Sequence, residues 1–137
     1  MEGIKKLIIL LLISLLNYSC SHSGGEVLLK HTFENNSWER FKPIRFDIDV
    51  SHPEDDYSIN LFVSFTEDFN SEDFIISYRI ASPSGEIRSG EKMLKVKNIY
   101  GKFTKQKNEE NPEYKISLVP YITFHKKGSC VVEIENL

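Results

Sequence analysis

The sequence has little of what would identify an enzyme or a metal site. Its 137 residues include two cysteines, one tryptophan and four histidines. No two histidines have a spacing that suits a metal site on one element, and no zinc-protease, paired-cysteine, nucleophile-elbow or phosphate-loop motif is present. We therefore expect a protein that is not an enzyme, with no catalytic residues, no metal and no cofactor.

The apolar runs of the sequence are short. The longest run, residues 7–16, is interrupted only by Ser14 and falls well short of the roughly 20 residues that cross a bilayer. Lys5 and Lys6 precede this run, and the small residue Ser19 precedes Cys20. This order of basic, apolar and small residues is typical of a secretory signal, which we assign to residues 1–19.

Cys20 favours a bacterial lipoprotein signal, in which the cysteine becomes the first residue and carries acyl chains such as palmitate. Ser19 fits the position before the cysteine, whereas Asn17 stands where leucine is commonest and Leu16 lies one position early. An ordinary signal cleaved nearby, or a structural thiol, are the alternatives. Residues 20–25 would then be the lipidated cysteine and a flexible tether, which anchors the domain to a membrane.

The chain also lacks an excess of positive charge. Without residues 1–19 it has 15 basic and 19 acidic residues, a net charge of −4. That balance excludes a strongly basic nucleic-acid binder and a polybasic patch for acidic lipids. We expect no nucleic-acid partner, and a single domain over residues 26–137.

Short alternating runs dominate the domain. In residues 44–50, isoleucine, phenylalanine and valine alternate with arginine and aspartate, which predicts a strand with one apolar and one charged face. Turn residues recur every eight to twelve positions, and no segment predicts a helix after the signal. We predict an all-β antiparallel β-sandwich of about eight short strands. The predicted strands occupy residues 26–33, 44–50, 57–66, 74–80, 86–97, 99–104, 114–124 and 129–135, with a break at Ser89-Gly90 and a bulge or edge at Pro120.

Three groups of residues allow more than one interpretation. Cys130, beside Val131 and Val132, predicts a buried small side chain, with a Cys20–Cys130 disulfide as the alternative. Trp38 is a candidate binding residue, although packing at one end of the core is the favoured explanation. The only acidic group that suggests a cation is explained as the exposed face of a strand and a turn; its members are Asp47, Asp49, Glu54, Asp55 and Asp56.

The order of several features resembles one known family. Phe33-x4-Trp38, the strand from Phe46 to Val50, the strand at Tyr57, the turn at residues 82–85 and Gly128-x-x-Val131 follow a lipoprotein signal. In this respect the chain resembles the gliding-motility lipoprotein GldH family, as a divergent member. The resemblance implies a lipid-anchored, non-enzymatic component of the outer membrane that acts through other envelope proteins.

We therefore expect a lipid-anchored outer-membrane lipoprotein, on the periplasmic face, that is an accessory component of an envelope protein assembly. The alternative is a carbohydrate-binding envelope lipoprotein. Its stacking residues would be Trp38 with Tyr57 or Tyr100.

Overall fold

Strict alternation of side chains produces the first strand. The structure is a computed structural model that describes residues 25–105 and 112–137. In strand β1, Ile44–Val50, the apolar side chains face the interior and the charged ones are exposed. The other strands are β2 (Asp56–Ser64), β3 (Asp73–Ala81), β4 (Ile87–Lys95), β5 (Glu113–Thr123) and β6 (Gly128–Asn136).

The six strands form two antiparallel sheets, which confirms the predicted all-β sandwich. One sheet has four strands in the order β1-β6-β3-β4, and the other contains β2 and β5. Consecutive strands β1 and β2 therefore belong to different sheets, and the chain crosses between the sheets through the turn at residues 51–55. The described residues hold six strands rather than about eight.

The hairpin between β3 and β4 follows directly from its turn residues. The amide of Gly85 donates to the carbonyl of Ser82 at 2.9 Å, and Gly85 has a φ of 90°, which favours glycine. The predicted tight turn is confirmed. The predicted break at Ser89-Gly90 is wrong, because β4 runs through it. Gly90 lies opposite Tyr78 in the ladder, and the Tyr78 ring occupies the space that a side chain at Gly90 would fill.

Strand β5 contains two irregularities around the predicted position. Asn60 pairs with Ser117 and Ile59 with Val119, so Leu118 is an extra residue in the ladder. Leu118 and Val119 are consequently both buried, although they are consecutive. A second register shift lies between the pairs Tyr57–Ile122 and Ile59–Val119, where Pro120 and Tyr121 are both exposed. It agrees with the bulge or edge predicted at Pro120.

The core lies between the two sheets. Its fully buried side chains come mainly from β3, β5 and β6, and include Ile76, Ile80, Leu118 and Cys130. Cys130 is a free thiol with no exposed surface, so the prediction of a buried small side chain is confirmed.

Two predicted strands are absent from the described residues. Residues 26–33 have no regular secondary structure and belong to no sheet. Residues 99–104 form a tight turn in which Gly101 donates to the carbonyl of Asn98, and only Lys97 and Phe103 make a β-bridge. Both predictions were wrong for one reason: β-propensity alone does not supply a partner strand.

Candidate functional sites

The predicted anchor lies outside the described residues. Cys20 and the signal at residues 1–19 are not described, and neither is the tether before Gly25. Within the described part of the chain, no helix is long and apolar enough to span a membrane. Lipidation of Cys20 stays a prediction from the sequence.

Trp38 packs at one end of the sandwich. Its ring stacks on Phe33 with centroids 4.8 Å apart, and Phe74 of the core lies 5.9 Å away on a tilted plane. The indole N–H donates to the carbonyl of Lys42 at 2.8 Å. Trp38 is thus half-buried and occupied by contacts within its own chain, as expected if it packs at the end of the core.

The loop around Trp38 presents an exposed phenylalanine. We call residues 38–42 the Phe41 loop. Phe41 has 65% of its surface exposed and a φ of 61°, which is rare for a bulky residue and costs about 1–2 kcal/mol. Its amide donates to the carbonyl of Asn136 at 2.8 Å, and the Asn136 side chain donates back to the carbonyl of Trp38 at 3.1 Å. These bonds hold Phe41 in its strained, exposed position.

A depression of about 340 Å³ lies beside the Phe41 loop. Arg40, Phe69, Ile75 and Leu137 contribute to its walls. Ile75 is 38% exposed, and its carbonyl accepts a hydrogen bond from the amide of Leu137. This end of the sandwich therefore combines an exposed aromatic ring, a cation and a shallow apolar floor.

A second depression of about 480 Å³ lies on the outer face of the four-stranded sheet. Ser77 and Ser89 lie among longer charged side chains there. Arg79 pairs with Glu133 at 3.1 Å, and the Ser77 hydroxyl donates to Glu135 at 3.3 Å. The Arg79–Glu133 pair is partly exposed, so it contributes little to stability. The charges of this surface largely satisfy one another.

The acidic group considered for a cation is spread over a strand and a turn. The Arg45 guanidinium lies 3.1 Å from Asp47, and its hydrogen bond holds the pKa of that carboxyl below its usual value. His52 lies 3.4 Å from Glu54 in the turn. Among residues 25–105 and 112–137, no three histidine, cysteine, aspartate or glutamate side chains are grouped so that they could hold a metal ion.

The two tyrosines named with Trp38 differ in their surroundings. Tyr57 is half-buried, packs edge-on against Phe124 and donates its hydroxyl to the carbonyl of His52 at 2.7 Å. Burial raises the pKa of the Tyr57 hydroxyl, with the nearby carboxylates adding to the effect. Tyr100 is 80% exposed on the turn that ends at Gly101. Of the three aromatics, Tyr100 presents the most open ring.

The two sides of the sandwich are unequally covered. On the side of β4 and β5, which we call the closed side, the Tyr114 hydroxyl donates to the carbonyl of Val96 at 3.0 Å, and Tyr114 is 3% exposed. The amides of Thr104 and Lys105 bond to Val96 and to the Tyr114 oxygen. Residues 96–105, which follow β4, therefore cover this side.

On the opposite side, which we call the open side, the inner side chains of β1 and β2 lie at the margin of the core. Val50 is 1% exposed, but the other inner side chains of both strands are only half-buried. They are Ile44, Phe46 and Ile48 on β1 and Tyr57, Ile59, Leu61 and Val63 on β2. Each strand is paired on one edge only within the described residues.

Sequence reasoning missed both the Phe41 loop and the open side. The positive φ of Phe41 results from the bonds to Asn136, which is 95 positions away along the chain. The half-burial of β1 depends on its place at the edge of the sheet, whereas its alternation predicts only which face is apolar. No local pattern carries either property.

Comparison with known proteins identifies no relative of this chain. No protein-family model, no curated protein and no solved structure matches the chain. The resemblance to the gliding-motility lipoproteins therefore stays a prediction from the residues that carry it.

Proposed function

We propose that the chain is a lipid-anchored outer-membrane lipoprotein that acts as a non-enzymatic accessory component of an envelope protein assembly. The predicted signal over residues 1–19, Cys20 and the resemblance to the gliding-motility lipoproteins support its location, with the domain on the periplasmic face. The Phe41 loop supports its mode of action.

The observation that carries this proposal is the strained exposure of Phe41. A phenylalanine that is 65% exposed gains little from burial, and its backbone costs free energy in the folded chain. Strain of this kind clusters at sites that bind ligands or partners. Exposed aromatics with a neighbouring arginine are also the residues that anchor protein interfaces.

The neighbours of Phe41 define the chemistry of the partner. The Arg40 guanidinium lies 5.2 Å from the centre of the Phe41 ring, and Arg40 also lines the depression that contains Ile75 and Leu137. The matching surface is a pocket on an envelope protein that receives the ring and carries a carboxylate for Arg40. Such a contact would bury the ring while leaving the charge paired.

A photo-cross-linking amino acid at position 41 of the full chain tests the proposal in cells. Position 100 is the matched control, because Tyr100 is also an exposed aromatic on a loop but has no comparable strain. We expect a discrete envelope-protein product from position 41 and none of that size from position 100. With that partner purified, Phe41→Ala should weaken binding by roughly tenfold or more. Equal products from both positions, or unchanged binding by Phe41→Ala, would contradict the proposal.

The anchor has its own test. Labelling with a tagged palmitate should mark the wild type and not Cys20→Ser, and only the wild type should fractionate with outer membranes. A Cys130→Ser variant is the control, because its thiol is buried and should not affect labelling. Wild-type protein without label would remove the lipid anchor from the proposal.

Tyr100 favours a second candidate function, carbohydrate binding. Its ring is 80% exposed, and its amide donates to the Asn98 side chain at 3.0 Å, which orders the turn. Aromatic rings held in this way can stack on sugars. Binding to immobilised glycans that is lost in Tyr100→Ala and kept in Phe41→Ala would support it. No glycan binding by the wild type would exclude it.

A further inference from the structure

The open side has the properties of an incomplete sheet. Strand β1 pairs only with β6, so roughly half of its backbone N–H and C=O groups point away from the ladder. No backbone group elsewhere in the described residues bonds to that free edge. The half-buried side chains Ile44, Phe46 and Ile48 run along the same edge. An added strand would satisfy the backbone and bury these side chains together.

The chain also has a segment with no secondary structure and no strand partner. We call residues 26–33 the N-terminal arm. Its apolar residues Val27, Leu28 and Leu29 are 64%, 78% and 44% exposed. Eight residues match the seven of β1 in length. Val27, Leu29 and Phe33 would share one face of a strand, which suits an apolar margin on one side.

The base of the arm is fixed next to the start of β1. Phe33 stacks on Trp38, whose carbonyl accepts from the Asn136 side chain at the end of β6. Between these points, Asn35 and Asn36 have φ values of 54° and 52°, so the chain turns sharply after the arm. In this arrangement the arm makes no ladder with its own β1.

We infer that the N-terminal arm of one copy adds as a strand to the free β1 edge of a second copy of this chain. Each copy carries one unpaired arm and a free β1 edge lined by half-buried apolar side chains, so a reciprocal exchange satisfies this arm and this edge of both chains around a two-fold axis. The half-buried side chains of β2, across the open side, would be covered by the same strand. The inference is independent of the partner proposed for Phe41.

Photo-cross-linking in cells that express two differently tagged full chains tests this inference. The cross-linking residue replaces Leu28 in one copy, because that side chain is exposed and its replacement should not disturb the fold. The control position is 87, an apolar residue that is 55% exposed on β4, the opposite edge of the sheet. We expect a product that carries both tags from position 28, with the cross-link mapped to β1 or β2, and none from position 87.

Any other cross-linking result would contradict the exchange of arms between two copies. A cross-link within one chain would mean that the arm folds onto its own β1, and a product with a different protein would mean that another strand fills the edge. Equal two-tag products from positions 28 and 87 would indicate non-specific contact. No product from position 28 would mean that the edge stays unfilled.

A second measurement checks the energetics. Val27→Asp combined with Leu29→Asp should weaken self-association of the detergent-solubilised full chain by roughly tenfold or more, because these two side chains lie on the apolar face that the arm presents. Ile87→Asp is the control and should leave self-association unchanged. A weak response to the arm variants, or an equal response to Ile87→Asp, would also count against exchange of the arm.

Discussion

The closed and open sides of the sandwich are built from similar sequences but are covered to different extents. Tyr114 and Ile116 on β5 are 3% and 7% exposed, whereas Ile59 and Leu61, which lie on the paired strand β2, are half-buried. Both strands alternate apolar and polar residues. The difference arises because residues 96–105, which follow β4, pack over one side, while only the turn at residues 51–55 joins β1 to β2. Coverage by neighbouring chain, rather than hydrophobicity, decides how strongly each strand is held.

The largest expected effect compares one isoleucine from each environment. Ile76→Ala empties a site with no exposed surface, so we expect a loss of about 3–5 kcal/mol in the free energy of unfolding. Ile48→Ala removes a half-buried side chain on the open side and should cost about 1–2 kcal/mol. Urea unfolding followed by the fluorescence of Trp38, the only tryptophan, measures both. Equal losses would mean that the open side is as well covered as the core.

The hydroxyl groups of two tyrosines, one on each side of the sandwich, allow a second comparison. Tyr114→Phe leaves the Lys105 amide without its partner and removes one of the hydrogen bonds to the Val96 carbonyl, which still accepts from the Thr104 amide, so we expect a loss of about 1–2 kcal/mol. Tyr57→Phe removes a bond to the His52 carbonyl in an exposed turn, where water can replace it, and should cost less than about 1 kcal/mol. The same unfolding measurement applies. A larger loss in Tyr57→Phe would reverse the assignment of the closed and open sides.

Substitutions of Phe41, in the loop that leads into the open side, test whether its backbone is strained. Phe41→Gly should be more stable than Phe41→Ala by about 1 kcal/mol, because glycine accepts a φ of 61° and alanine does not. Both variants lack the ring, so their difference isolates the backbone. The same pair of substitutions at Tyr100 is the control and should favour alanine, since Tyr100 has no positive φ. An equal preference at both positions would indicate that the Phe41 backbone is unstrained.

The smallest effect concerns the thiol opposite Ile48 in the β1–β6 ladder. Burial raises the pKa of the Cys130 thiol above its usual value of 9.0. The stability that its protonated form contributes is therefore complete below pH 9.0 and is lost as the pH rises through the folded-state pKa. Cys130→Val should lack this loss of stability at alkaline pH. The free energies of unfolding of the wild type and the variant, measured against pH, should therefore diverge as the pH rises. The comparison runs from pH 8 to about pH 10.5, where lysines and tyrosines titrate. Free energies of unfolding that fall in parallel for the two proteins over this range would exclude a contribution from Cys130.

Much of the fold could be predicted because its causes are local. The alternation in residues 44–50 and the glycine of the turn at residues 82–85 act within one element or one hairpin, and both predictions are confirmed. Residues 26–33 were predicted as a strand from the same kind of pattern and form no strand. A strand needs a partner edge, and its position depends on how distant segments pack. The open side and the strained Phe41 are properties of the assembled sheets for the same reason.

Three properties follow from the order of residues alone: the domain is all-β, one face of each main strand is apolar, and Cys130 is buried. Side-chain periodicity and the transfer free energy of apolar groups produce them, and both act through neighbouring residues. The pairing of β1 with β6, the separate sheet of β2 and β5, and the exposure of Phe41 by its bonds to Asn136 arise only when the sheets are assembled. Each of these depends on contacts between residues far apart in the chain, where many pairings have similar local energies and packing of the whole core selects one.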